Sequence, residues 1–450
     1  MKKINFLWVA ACLQCLHLSA QTVQNVNPLL FLVDSTNSVQ ISTIGCTLSN
    51  GTTTTCYRIV STSTPTDHDM GPWCPNNISD DASAGGIWLE GGQVYDVDGD
   101  FIANMATFYN DSNWLMYDSL GNIYTTETQA DCAAAANPNV GVEYENFCVE
   151  CLPSYVTGIT QTYVFPVKPV KLTQSISFGG MGGPGGPGGG GPTVRGVAFN
   201  GVRFDAPAPT NAILGAYTLA PFDDAGGHIN LMAGYHYHAA TGVSTEVAAC
   251  DGHAPMIGYA LDGHGIYAHV NEDGVAPTDL DACRGHSDDT RGYHYHVDYA
   301  GTNNFINCLF GAYVTTSGTA VTIDADNDGF SLLEDCDDNN AAVNPNAVEI
   351  DDNNIDENCD GIFCTSVSTY ELAGASIRIY PNPVSTVLTV DVAGVLDYRV
   401  RMFDINGKLV FGQQNPVFVS METLNNGTYV LEITDLSSGQ RIMEKIVVAK

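Results

Sequence analysis

Gly227-His228-Ile229-Asn230-Leu231-Met232-Ala233-Gly234-Tyr235-His236-Tyr237-His238 and Gly285-His286-Ser287-Asp288-Asp289-Thr290-Arg291-Gly292-Tyr293-His294-Tyr295-His296 are the stretches that decide how this chain folds. Both run Gly-His, five residues, then Gly-Tyr-His-Tyr-His, at a constant offset of 58. Cys250 and Cys308 keep that offset, twelve residues after His238 and His296. Such a recurrence marks a duplicated structural unit. On a strand, successive side chains point to opposite faces, so each His-X-His puts two imidazoles on one face, about 7 Å apart, with the tyrosines opposite. Bringing the two strands together would present His236, His238, His294 and His296 at one shared site, with His228 and His286 joining from adjacent turns. His253, His264 and His269 are further candidates. Imidazole suits zinc, copper, iron or nickel, and copper or zinc is the expectation here. The plainer reading is a polar core in which each ring hydrogen-bonds to backbone or tyrosine.

Working outward, the 450 residues are 44% hydrophobic, enough to bury cores in two to four domains. Sixteen basic against 50 acidic side chains give a net charge of −34, which excludes nucleic acid as a partner and favours cations. Lys2 and Lys3, an apolar run from Ile4 to Leu18, then Ser19 and Ala20 read as a secretory signal peptide cleaved before Gln21. Val9-Ala10-Ala11-Cys12 resembles a lipobox but would leave too short an apolar core. No later run of about 18 apolar residues exists, so no transmembrane segment is expected after signal removal. Of fourteen cysteines, twelve remain after the signal, and in an exported chain disulfides are expected, Cys148-Val-Glu-Cys151 included.

The fold class expected is mainly β. Residues 21–165 read as a β-rich, disulfide-containing region whose best helix candidate is Asp131 to Asn137. Within them, Asp67-His68-Asp69-Met70-Gly71-Pro72-Trp73-Cys74-Pro75 offers His68 as a ligand or base, or else a turn stapled by Cys74. Residues 166–316 hold nine of the eleven histidines and form a β-rich domain with long loops. Gly179 to Pro192 is a Gly/Pro stretch unable to pack a core. Residues 317–365 form an acidic segment. Residues 374–450 alternate apolar and polar between turns such as Asn406-Gly407 and Asn426-Gly427, the pattern of a small β-sandwich.

The two Tyr-His-Tyr-His motifs, Pro255-Met256-Ile257-Gly258-Tyr259-Ala260-Leu261-Asp262-Gly263, Leu280-Asp281-Ala282-Cys283-Arg284-Gly285-His286 and Asn200-Gly201-Val202 resemble the YHYH-domain family over about 190–312. The family is defined by its motif and implies no activity. Its first Gly-His is often preceded by cysteine. Here Ala225 stands there, which leaves the partner of Cys283 open.

Asp324, Asp326 and Asp328, followed by Gly329, match the start of a calcium loop, with Asp335 at the twelfth position where an EF-hand carries Glu. Residues 324–361 hold thirteen acidic side chains and neither Lys nor Arg. Glu334-Asp335-Cys336-Asp337-Asp338 with Asp356-Glu357-Asn358-Cys359-Asp360-Gly361 resembles the MopE-like metal-binding repeat of secreted bacterial proteins, and calcium is the cofactor expected. The resemblance makes Cys336 and Cys359 a candidate pair. The plainer reading is a solvated acidic linker.

Ile379-Tyr380-Pro381-Asn382-Pro383, the Gly407-Lys408 turn and Gly427-Thr428-Tyr429 resemble a type IX secretion C-terminal sorting domain. That resemblance implies an immunoglobulin-like sandwich recognised by the type IX machinery, and delivery to the medium or the outer-membrane cell surface. No G-x-S-x-G, H-E-x-x-H or P-loop occurs. Two classes follow: a secreted metal-binding protein, or a secreted metal-dependent hydrolase. The hydrolase would use the same histidines with a carboxylate such as Asp262 or Asp281 as base. Saturated ligation favours the first, and a vacant position facing a cleft favours the second.

Overall fold

A computed structural model describes residues 24–32, 39–136, 139–179, 191–242, 244–249, 251–271, 274–350, 355–359, 376–382, 384–393, 397–404, 408–421, 424–436 and 441–448. The segment expected to be a signal peptide (1–20), most of the Gly/Pro stretch, Cys250, the Asp360-Gly361 pair and the Asn406-Gly407 turn lie outside them. The chain is mainly β and divides into two compact units, one of residues up to 248 plus 252–344, the other of 249–251 plus 345 onward.

In the first unit, β1 (Gln40–Leu48) and β2 (Thr53–Thr62) form a hairpin clipped by Cys46–Cys56. A short hairpin, β3 (Ile87–Glu90) and β4 (Gln93–Asp96), leads to α1 (Gly99–Phe108). Asp98 caps that helix by accepting from Phe101 N, and Ile102 and Met105 turn inward one face apart. This helix went unread in the sequence, although its cap and i, i+3 apolar pair are both visible there. The expected helix is α2 (Gln129–Ala135), opened by a Thr128/Asp131 capping box. Cys74–Cys148 and Cys132–Cys151 tie these segments together, so Cys148 and Cys151 are structural. Next come β5 (Thr160–Pro166) and β6 (Lys171–Ser177).

The histidine motifs belong to one eight-stranded sheet. Its first half is β7 (Gly196–Ala198), β8 (Arg203–Phe204), then α3 (Thr210–Gly215), β9 (Gly227–Asn230) and β10 (Gly234–Tyr237). Its second half is β11 (Met256–Ala260), β12 (Gly265–Tyr267), β13 (Gly285–Asp288) and β14 (Gly292–His296). The order β13-β14-β12-β11-β7-β8-β10-β9 reads the same repeat from both ends. The registers repeat too. Gly196 faces Phe204 as Gly258 faces Ile266, and Tyr237 lies parallel to Phe204 as Tyr295 does to Ile266. Val197 pairs with Tyr259 across the antiparallel β7·β11 contact, its own counterpart at an offset of 62, so a local twofold axis passes there. Gly196 and Gly258 flank it because a Cβ on either would lie 2.4 or 2.2 Å from the facing carbonyl oxygen of Tyr259 or Val197.

Two strands close the unit. β15 (Cys308–Gly311) pairs with β6, and β16 (Val314–Ala320) returns to β1, giving the sheet β16-β1-β2-β5. Cys283 pairs with Cys308, which settles its partner.

The second unit holds β17 (Ser376–Tyr380), β18 (Val387–Ala393), β19 (Tyr398–Asp404), β20 (Leu409–Gln414), β21 (Phe418–Ser420), β22 (Gly427–Asp435) and β23 (Arg441–Val448). They make two sheets, β17-β18-β21 and β20-β19-β22-β23, with Ile379, Leu388, Val390, Val400, Met402, Leu431 and Ile446 buried between them. This is the sandwich that the alternating pattern predicts.

Burial pushes the Glu150 carboxyl up to about 7, the Cys74 amide at 3.0 Å compensating only in part. The folded protein therefore keeps a proton that the unfolded chain releases, and stability is lost as pH rises from about 4.5 to about 7. The thermal midpoint of the wild type should fall more steeply than that of Glu150→Gln between about pH 5 and about pH 8. Parallel curves by calorimetry would refute this.

Candidate metal centres

Each Gly-His and its Tyr-His-Tyr-His form one hairpin. His228 stands directly across the ladder from His236, and His286 from His294. The turns leave no choice of residue at Gly234, where φ is 74° and a Cβ would lie 1.7 Å from Ser63 Oγ. The first cluster is His228, His236 and His238. The second is His253, His286, His294 and His296. In each, one ligand atom per residue lies within 4.8 Å of all the others.

The ring nitrogens are assigned by what they meet. His236 Nδ1 lies 3.0 Å from Gly234 O and His238 Nδ1 2.6 Å from Ala206 O. The second repeat matches, with His294 Nδ1 3.0 Å from Gly292 O and His296 Nδ1 2.9 Å from Ala268 O. His253 Nδ1 meets Ala254 O at 2.9 Å, and His286 Nδ1 meets the Asp279 carboxylate at 2.8 Å. A carbonyl or carboxylate oxygen only accepts, so Nδ1 carries the proton and Nε2 presents its lone pair, that of His236 also facing Asn230 Nδ2 at 3.5 Å.

These Nε2 atoms face one another, joined by that of His228, whose ring also bonds the Ala220 backbone. His286 and His253 Nε2 lie 2.9 and 3.1 Å from His294 Nε2, and His238 Nε2 lies 3.2 Å from His228 Nε2. His296 Nε2 is buried without a hydrogen-bond partner. Burial, and then the neighbouring rings, hold His238, His294 and His296 down at about 3, and His228 and His236 well below the usual histidine range. Protonation is therefore no remedy for the facing lone pairs. Two nitrogens each about 2.1 Å from one ion sit about 3.0–3.4 Å apart for angles between square and tetrahedral. Both clusters have a donor set suited to a metal ion, with their closest nitrogen pairs near that spacing and the rest within 4.8 Å, and the Asp279–His286 contact is the carboxylate–histidine support such ligands carry.

The two motifs do not meet. Four strands separate β10 from β14, so the single shared site expected from the sequence is wrong. Period two aligns the rings within a motif, but β7 and β11 pair at the centre and send the motifs to opposite edges. His253 is the only further candidate that joins a cluster. His264 packs its ring on Tyr293 and Tyr295, and His269 lies by Val297 O and Tyr299. His68 docks behind the first motif, Nε2 to Tyr235 OH at 3.1 Å, as part of a structural segment held by Cys74. Asp262 and Asp281 are not placed as bases. Asp262 accepts from Tyr295 OH at 2.6 Å and Gly311 N, and Asp281 from Tyr293 OH at 2.9 Å, Cys283 N and Gly285 N.

The acidic loop is anchored to the core rather than free of it. Leu332 is buried in the core, and its carbonyl accepts from the buried Tyr57 hydroxyl at 2.9 Å. Asp324, Asp326 and Asp328 bring one oxygen each within 4.8 Å of the others. Asp326 Oδ2, Asp328 Oδ2 and Asp335 Oδ2 are buried without partners. Burial, then the charges of Asp328 and Asp326, push Asp335 up to about 6 despite the Asp337 amide. Cys336 and Cys359 are both disulfide-bonded.

Residues 162–279 match the model of the family described as "YHYH protein". Residues 335–363 match the model described as "Putative metal-binding motif", of the MopE type, and 378–449 the secretion system C-terminal sorting domain. No curated protein matches the chain. Among solved structures, PorZ, an essential surface component of the type IX secretion system of Porphyromonas gingivalis, is similar at 20% identity and a TM-score of 0.15. That match covers 20% of this chain, and the chain spans 13% of PorZ's length. The sorting domain marks this as a secreted protein handled by the type IX machinery for cell-surface or outer-membrane attachment. Among the described residues no helix is long and apolar enough to cross a membrane.

On the tyrosine face of the YHYH region, Asp223 does for the first repeat what Asp281 does for the second. Its carboxylate accepts from Tyr235 OH at 2.8 Å and from the Gly71 and Gly227 amides at 3.0 Å each. Asp223→Ala strands three buried donors and should cost about 3 kcal/mol or more in urea unfolding at unchanged slope. Asp223→Asn, which keeps an acceptor oxygen, should lose less. Wild-type stability in the alanine variant would mean that these donors find other partners.

Proposed function

We propose that this is an exported metal-binding protein with two separate histidine centres for zinc or copper and an aspartate loop for calcium. Residues 1–20 serve as its Sec signal, and the C-terminal domain delivers it to the surface. The observation that carries the reading is the convergence of imidazole Nε2 atoms to 2.9–3.2 Å at each of the two hairpins. Neutral, desolvated imidazoles arranged so repel one another until a cation stands between them, and ligation demands that neutral form. For the loop, the support is the set of buried carboxylate oxygens on Asp326, Asp328 and Asp335 that have no hydrogen-bond partner among the described residues. The hard oxygen donors and the borderline imidazoles sort the two kinds of ion without competition.

Elemental analysis of the mature protein should find two equivalents of zinc or copper. His294→Ala should remove one and His236→Ala the other. A folded protein that takes up neither metal from solution would overturn the reading of both centres. Calcium is tested separately. Chelation should increase protease cleavage between about 317 and 350, and Asp326→Asn with Asp328→Asn should be cut at the chelated rate even with calcium present. Cleavage indifferent to calcium would leave these aspartates as a packed acidic loop.

A further inference from the structure

Given that both clusters hold metal, we infer that they differ in kind: the four-histidine centre is closed, and the three-histidine centre keeps an exchangeable position. That position takes an oxygen-donor anion with an apolar body, of the carboxylate or hydroxamate class. Three histidines leave a fourth tetrahedral position open, whereas four fill the shell.

The surroundings agree with the ligand count. His228, His236 and His238 line a cavity of about 710 Å³ whose walls include Trp73, Val149, Ile213, Pro221, Ile229 and Leu231. Its polar edge includes Arg203 and Asp205, an ion pair, and Asn230, with Asp205 Oδ2 4.0 Å and Asn230 Nδ2 3.5 Å from His236 Nε2. Arg203 Nε is buried and has no acceptor among the described residues. A bidentate anion would bind the metal through one oxygen and accept from Arg203 Nε–H through the other, leaving its apolar part against Trp73 and Ile213.

At the offset of 62 that carries Ala206 to Ala268, Arg203 becomes Gly265 and Asp205 becomes Tyr267. The Tyr267 ring packs on His253, His294 and His296, with centroids 4.8, 5.0 and 5.9 Å away. The second centre thus has an aromatic lid and a fourth ligand where the first has a charged pair and a void.

The test uses the full mature chain loaded with cobalt(II) and titrated with benzohydroxamate, read by visible absorption. We expect two cobalt ions per chain, of which one shifts its spectrum. The shift should vanish in His236→Ala and in His228→Ala while one cobalt remains. Arg203→Met should weaken the hydroxamate response at least tenfold with both metals retained, and circular dichroism checks that each variant folds. Two bound cobalt ions with no response would overturn this inference and leave the metal reading intact, as would a response that survives both histidine variants. A response seen only after Asp205→Ala would show that the carboxylate closes the first centre, and also overturns it. Absence of bound cobalt, with zinc and copper equally absent, would instead remove the metal reading itself.

Discussion

A buried imidazole whose Nδ1–H is committed to a carbonyl must point its other lone pair at something. In this protein the hairpins bring three histidines together at one place and three at another, where His253 joins them from the segment before β11. Everything near them serves that constraint. The glycines that open each Tyr-His-Tyr-His let the strand start in a left-handed conformation, and the ladder puts a histidine from the partner strand opposite. Carbonyls of Ala206 and Ala268, one residue or so beyond β8 and β12, reach across to hold the last ring of each motif. The neighbouring inner strand is thus as much a part of each centre as the hairpin itself.

The opposite face explains why the tyrosines alternate with the histidines. Tyr235, Tyr237 and Tyr295 are almost wholly buried, and a buried phenol needs a partner. Asp223 and Asp281 sit in the turns that begin β9 and β13. Each accepts from the tyrosine and from the amide of the glycine before the histidine. Asn200 and Asp262 meet the second tyrosine of each motif, Asn200 as donor and Asp262 as acceptor. The polar belt locks strand register, and a register slip of one residue would exchange the rings for the phenols. Metal face and polar belt therefore depend on the same registration.

Much of this was legible because it is local. Repetition at 58 residues, strand alternation, the sandwich at the C-terminus and the aspartate spacing all lie within short windows. The convergence of the motifs was misread because the sequence offers no sign of which strands meet at the centre. That is decided by Gly196 and Gly258, two small residues whose role is to let β7 and β11 approach. His253 was one candidate among three, since nothing in its neighbourhood repeats. Asp279 and Asp205 went unnoticed because their importance lies in what stands opposite them. The return of β16 to β1, joining Ile44 to Ala320, has no local signature.

The two offsets hold the last clue. Asn200 to Asp262 is 62 residues, and His228 to His286 is 58, so the first repeat carries four more residues between its inner strands and its hairpin. In that interval the first repeat builds α3, and its Ile213, with Pro209 just before it, stands in the wall of the cavity beside His228. The second repeat spends its corresponding segment differently, with Asp279 on His286 and Tyr267 over the rings. A fourth histidine arrives from outside the repeat, in the segment before β11. Duplication supplied two equal hairpins. A few residues in the connections, not in the motifs, are what set four converging histidines apart from three that face a cavity.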